Sequence, residues 1–291
     1  YEVGLRNMYW PYLKDEQHSA ISKLFWHALN VYNPWMGAEV GRLLDHEQPD
    51  LLHTQNLSGF TVSAWRAARK RNIPVVHTCQ DYSLLCPRSM YRNEDSDAGN
   101  CATQCWDCRL FAKPRAPFTE MVDAVVGVSR FVVERYLELG YFNQVETKRV
   151  IYNPHEYNHV DITDTAASPN GSLQVGFLGR LTPLKGIELL ADSLVESTLS
   201  DWTLHVAGRG SEEYEQKLRD RYKHEQVQLM GFVEPRQLLS RVDVLVVPSL
   251  WHEPFGMVVI EALSFGIPVV ASERGGLPEI ITPRETGFLF D

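Results

Sequence analysis

The chain lacks any charge-free apolar run of about 18 residues, so no segment reads as a membrane-spanning helix. The nearest approach, Gly256 to Ser272, is broken by Glu261 and Pro268 and reads as a buried helix followed by a strand. Tyr1 to Arg6 lack the basic, apolar and small-residue order of a secretory signal, and there is no initiator Met. Cysteine is absent before Cys79 and after Cys108. A secreted disulfide scaffold spreads its bridges along the chain, so a reducing, cytoplasmic setting is expected. Positive charge is also short: 28 Lys and Arg face 37 Asp and Glu, for a net charge of −9. That balance excludes the broad basic face a nucleic-acid partner requires, while leaving room for a local pocket that binds a small anion.

What is there is a core-forming composition, 44% hydrophobic over 291 residues. At roughly 150 residues per domain, this predicts one large or two ordinary domains. Short β-branched runs at Asp50–Thr54, Ile73–Thr78 and Ala124–Val128 read as strands covered on both faces. Phe60–Arg71 and Arg130–Leu139 read as helices, the second capped by Ser129 and stopped by Gly140. The alternation repeats further on. Strands are expected at Leu173–Leu178, Thr203–Ala207, Val227–Met230, Val242–Val247, Pro268–Ala271 and Gly287–Phe290. Helices are expected at Gly186–Glu196, Glu212–Tyr222, Arg236–Ser240 and Met257–Ser264. This pattern predicts an α/β protein with two Rossmann-like parallel-sheet domains facing a cleft. The boundaries are 1–157 and 173–291, with a polar linker at 158–172.

Four segments carry candidate chemistry. Gly179-Arg180-Leu181-Thr182-Pro183-Leu184-Lys185-Gly186 leaves a strand and opens a helix, so Arg180 and Lys185 suit a diphosphate; the competing reading is two solvated cations. Gly208-Arg209-Gly210 gives G-x-G without a third glycine, which by itself is a tight turn. In Glu253-Pro254-Phe255-Gly256-Met257 and on to Glu261, two carboxylates flank a very apolar stretch. Such a carboxylate needs donors: sugar or ribose hydroxyls, or for Glu261 an arginine within the fold. Gly275-Gly276 after a strand can form an anion-binding nest or a simple turn.

Taken in order, G-R-x-x-P-x-K-G, G-R-G, Gly231-Phe232-Val233, E-P-F-G-x7 closing in Glu261-Ala262-Leu263, and G-G-L-P-E resemble the retaining glycosyltransferases of family 4. The resemblance runs from about Val175 to Phe290, and Pro49–Asn56 and Asp81–Arg88 are similar to the same family's first domain. It implies the GT-B architecture and metal-independent transfer of a hexose from a UDP- or GDP-sugar to a glycan or lipid-linked acceptor. Arg180 and Lys185 would then grip the diphosphate, Glu253 would face the sugar ring, and Glu261 would hold the ribose. Gly231, Phe232 and Val233 would lie against the base, with Gly208, Phe255, Gly256, Met257, Gly275 and Gly276 lining the donor site. Where relatives read T-x-H-D, this chain has Thr78-Cys79-Gln80-Asp81, and Gln80 cannot serve as a base. His77 and Asp81 are the other acceptor-side candidates, with a hydrogen-bonded strand-end histidine as the competing reading for His77. The family's opening glycine-rich loop and closing helices find no match, so a fragment missing both ends is expected.

Two alternatives stand beside transfer: a GT-B epimerase or hydrolase of the sugar nucleotide, and a non-catalytic nucleotide-sugar-binding protein. No catalytic cofactor is expected. The spacing Cys86-x14-Cys101-x3-Cys105-x2-Cys108 leaves three states open, namely structural zinc, disulfides or free thiols. Aromatic and basic residues around Met8, Tyr9, Trp10 and Trp26 suggest either an acceptor or peripheral contact at the inner face of a membrane, or buried core aromatics.

Overall fold

The structure is a computed structural model that describes residues 4, 6, 7, 19–87, 89, 100–155, 171–223 and 225–291. The chain divides into two compact units, Tyr1–Tyr152 and Asn153–Asp291. Most of the expected linker at 158–172 lies outside the described residues, as do Met8, Tyr9 and Trp10.

In the first unit, α1 (Ala20–Val31) and α2 (Pro34–Glu47) precede β1 (Leu52–Thr54), α3 (Ser63–Arg69) and β2 (Val75–Cys79). They are followed by α4 (Trp106–Phe111), β3 (Ala124–Gly127), α5 (Arg130–Glu138) and β4 (Thr147–Val150). Asn33 accepts a hydrogen bond from the Met36 amide, and Pro34 occupies the first turn of α2, where a missing N–H costs nothing. Ser129 caps α5 in the same manner. The four strands are parallel, in the order β1-β2-β3-β4. β4 escaped the sequence reading because Thr147-Lys148-Arg149-Val150 is a polar, largely exposed edge strand with no apolar run. Beneath the sheet, the rings of Trp65, His77, Tyr136 and Phe142 stand 5.0–6.1 Å apart in edge-on and stacked pairs. Their polar tips are satisfied: Trp65 Nε1 donates to Thr54 Oγ1, and the Tyr136 hydroxyl donates to the Asp81 carbonyl.

The second unit alternates β5 (Leu173–Leu178), α6 (Ile187–Glu196), β6 (Trp202–Ala207), α7 (Glu212–Arg221) and β7 (Val227–Gly231). It continues with α8 (Pro235–Leu239), β8 (Val244–Val247), α9 (Met257–Ser264), β9 (Val269–Ser272) and β10 (Gly287–Phe290). All its strand pairs are parallel, in the order β10-β9-β8-β5-β6-β7. One apolar cluster joins Ile187, Leu190, Leu204, Val206 and Leu218. A second joins Leu238, Leu245, Val259, Val269 and Leu277, so helices cover the sheet on both faces. The chain starts at β5, grows outward to β7, then returns to place β8 on the other side of β5. That reversal makes the β5–β8 boundary a topological switch point, where loops leaving the strand ends diverge and open a crevice.

The two loops at this boundary touch backbone to backbone. The Leu250 amide donates to the Leu184 carbonyl at 2.8 Å. Gly186 has φ +72°, and a Cβ there would meet the Pro248 carbonyl oxygen at 1.8 Å. Gly186→Ala is therefore expected to destabilise the protein by about 2 kcal/mol or more, read as a lower urea midpoint at unchanged slope.

Candidate donor site at the switch point

Three loops are laddered at the carboxyl edge of the second sheet. The Gly179 amide donates to Ala207, Leu181 to Arg209 and Gly208 to Gly231, at 2.8–3.0 Å. Gly208 approaches the Gly179 carbonyl so closely that a Cβ would sit 1.8 Å from it. The G-x-G segment is thus a backbone-packing device that aligns the loops after β5, β6 and β7. Beyond it, Phe232 is exposed with the Arg209 guanidinium 5.7 Å from its ring centre, and Val233 packs on the core.

Arg180 follows β5 and is exposed; among the described residues it makes no ion pair. Lys185 ends the 3-10 turn Pro183–Lys185 on the same loop. Its Nζ lies 2.5 Å from Oε1 of Glu253, which follows β8 and is buried. The same oxygen accepts from Ser249 Oγ at 2.6 Å and Trp251 Nε1 at 2.9 Å. The Trp251 ring also lies 5.5 Å from Lys185 Nζ, a cation–π distance. Gly276 donates its amide to the Glu253 carbonyl at 2.7 Å. A Cβ on Gly275 (φ +63°) would stand 2.1 Å from that carbonyl, so the glycine turn after β9 lies directly on the Glu253 backbone. Lys185, Glu253, Gly275 and Gly276 are therefore brought together. Ser249, Trp251 and Arg209 were not anticipated; the available signal was their position, just past a strand's carboxyl end beside a motif residue.

Gly256 (φ +117°) precedes α9, Met257 opens it, and Phe255 is buried in the fold. Glu261, further along α9, is half-buried. Burial raises its pKa above the ordinary glutamate value, partly offset by the charge of His155. Among the described residues no arginine pairs with it, so the internal ion-pair reading is not realised. No hydrogen bond or ion pair ties Arg180 or Glu261 to the Lys185–Glu253 cluster among the described residues.

In the first unit, Gln80 donates to Gln55 at 3.0 Å, and Asp81 accepts from Asn56 Nδ2 at 3.0 Å and the Ser83 amide at 2.8 Å. Both residues thus sit at the carboxyl edge of β1 and β2, joining the loops after those strands. His77 is corrected: it is 2% exposed, hydrogen-bonded to Thr54 Oγ1, and held neutral by burial and then His53, with its pKa lowered to about 3. It is a core histidine, sealed from any acceptor. Cys86, Cys101, Cys105 and Cys108 line one pocket with His27 and Asp107.

The model of the glycosyl transferase 4-like domain matches residues 15–154, and that of the glycosyl transferases group 1 matches residues 161–291. A Klebsiella pneumoniae protein, the uncharacterized 42.6 kDa protein in cps region, is 30% identical over 276 residues, covering 94% of this chain and 70% of the relative. The chain is a group 1 glycosyltransferase. It is also 34% identical over 268 residues to the D-inositol 3-phosphate glycosyltransferase of Corynebacterium efficiens, covering 83% of this chain and 59% of the relative. Among solved structures, HepE of Anabaena in complex with UDP and glucose matches with TM-score 0.62 and 22% identity, over 95% of this chain and 70% of that one. Sucrose-phosphate synthase of Thermosynechococcus elongatus matches with TM-score 0.68 and 21% identity, over 90% and 65%. These matches place the glycosyltransferase in the GT-B fold. No helix among its described residues is long and apolar enough to cross a membrane.

The state of Glu261 has a measurable consequence. A carboxyl whose folded pKa exceeds its unfolded value lowers stability as pH rises through that window. Glu261→Gln is expected to raise the melting temperature of the ligand-free enzyme near neutrality. The difference should close as pH falls to the ordinary glutamate value of 4.5.

Proposed function

We propose that this glycosyltransferase moves a hexose, with retention, from a UDP- or GDP-sugar to a glycan or lipid-linked acceptor taken up by the first unit. The observation that carries this reading is the switch-point cluster: Lys185 Nζ within 2.5 Å of the buried Glu253, with the exposed Arg180 on the same loop. HepE, solved with UDP and with UDP-glucose, supports a sugar nucleotide as donor.

The chemistry asks for few parts. As the glycosidic bond breaks, positive charge builds at the anomeric carbon and negative charge on the departing diphosphate. The diphosphate leaves without protonation, so its charge is what must be stabilised. Arg180 contributes a guanidinium fork and Lys185 an ammonium to that charge, which is how the reaction proceeds without a metal. Lys185 reaches the diphosphate by exchanging a bond to Glu253 for one to phosphate. The three donors on Glu253 Oε1 hold this carboxylate as a fixed acceptor for sugar hydroxyls rather than as a nucleophile. Retention then follows from attack on the face the diphosphate leaves, with a diphosphate oxygen receiving the acceptor proton. Glu261, desolvated and without an ion pair among the described residues, accepts from the ribose hydroxyls.

Arg180 offers a clean test because it is exposed and makes no ion pair within the described fold. Arg180→Ala is expected to keep the melting temperature and lower kcat for sugar transfer by roughly 100- to 1000-fold. Glu261→Ala should abolish calorimetric binding of UDP and GDP. Unchanged turnover in the first variant together with unchanged binding in the second would overturn the donor-site assignment.

A further inference from the structure

Four cysteines take no part in the donor site, yet Cys86, Cys101, Cys105 and Cys108 line one pocket of the first unit. We propose that these four thiolates hold a structural zinc ion. Cys105 is the N-cap of α4 and Cys108 lies in its first turn, a spacing that sets both side chains on one side of the helix. Their sulfurs are 3.7 Å apart. Two sulfurs each about 2.3 Å from a tetrahedral zinc stand about 3.8 Å apart, whereas a disulfide requires about 2.05 Å. Cys86 and Cys101 line the same pocket as this pair. Among the described residues no three ligating side chains already enclose a metal position. Metal binding therefore completes the site: the sulfurs close on the ion and the thiol protons pass to water.

A second, independent observation selects zinc over the other states of these cysteines. Arg115 is 4% exposed, and its Nη1 donates to the Ser83 carbonyl at 2.7 Å, while Nε and Nη2 have no partner among the described residues. A buried guanidinium with two bonds unmade is among the costliest groups a core can hold. Burial is the largest influence on it, followed by the neighbouring Tyr141 and Tyr136 and then by Cys86 and Cys108. Zinc with four thiolates is a doubly negative cluster, a counter-ion that Arg115 lacks among the described residues. Neutral thiols and disulfides carry no charge and leave this guanidinium uncompensated. His27, lining the same pocket with its Nδ1 buried and without a partner among the described residues, offers a hydrogen bond to a thiolate sulfur. With all four positions filled by protein, the ion has no open site for chemistry. Its work is to tie Cys86, Cys101 and the start of α4 together, close in sequence to the loop where Arg115 holds Ser83 and Ser83 in turn binds Asp81.

The test is metal analysis of the chain purified anaerobically from zinc-supplemented cells. About one zinc per chain is expected, with the four thiols shielded from a thiol reagent until zinc is withdrawn. Cys101→Ser and Cys108→Ser should each lower bound zinc at least fivefold. Because such variants can misfold, cobalt is exchanged into the wild-type chain in parallel, and the intense visible bands of a tetrahedral thiolate complex are expected. Zinc-free protein with all cysteines freely reactive would overturn the proposal. So would an intact mass short of the hydrogens lost to disulfides.

Discussion

The contact on which the candidate donor site depends is the backbone approach between the loops leaving β5 and β8. Gly186 lies against the Pro248 carbonyl, and Leu184 is bonded to Leu250. Two loops held this closely cannot diverge until their next residues, so Lys185 and Glu253 meet across the mouth of the crevice. The turn at Gly275–Gly276 then seats on Glu253 and adds backbone amides at the same place. Strand order decides where the crevice opens, and two side-chain-free contacts decide how tightly its walls are tied.

The electrostatics follow from that framework. In a chain of net charge −9, any place for an anion has to be built locally. Lys185 is held by a buried carboxylate that two further donors keep in place, while Arg180 stays exposed. Glu261 is the converse case, a carboxyl that burial disfavours in its charged form. A group kept at a cost to the ligand-free fold is a functional-site signature, and it fits the ribose contact proposed for Glu261.

The first unit rests on a different device. Its aromatic core closes around His77 and turns it into a packing residue, while the Tyr136 hydroxyl fixes the Asp81 backbone from below. The carboxyl edge of this sheet is thereby carried by Gln80 and Asp81, tied to Gln55 and Asn56 from the neighbouring loop. Arg115 supports that edge by donating to the Ser83 carbonyl, while the Ser83 amide bonds Asp81.

Much of the fold was legible because its signals are local. Short β-branched runs mark buried parallel strands, and Ser129 and Ser211 mark helix starts by bonding the amides three residues on. β4 was not legible, since an exposed edge strand needs no apolar residues. Of the donor site, the sequence by itself determined the chemical inventory: cations after one strand, carboxylates after another, glycines where the backbone must pass closely. It could not determine their meeting. Lys185 and Glu253 are 68 residues apart, and only the reversal of strand order between β5 and β8 makes them neighbours. The same holds for Ser249 and Trp251 on Glu253, for His77 inside its aromatic cage, and for Arg115 beside the cysteines. Composition and periodicity act over a turn of helix or a strand, whereas burial and pairing belong to the packed chain.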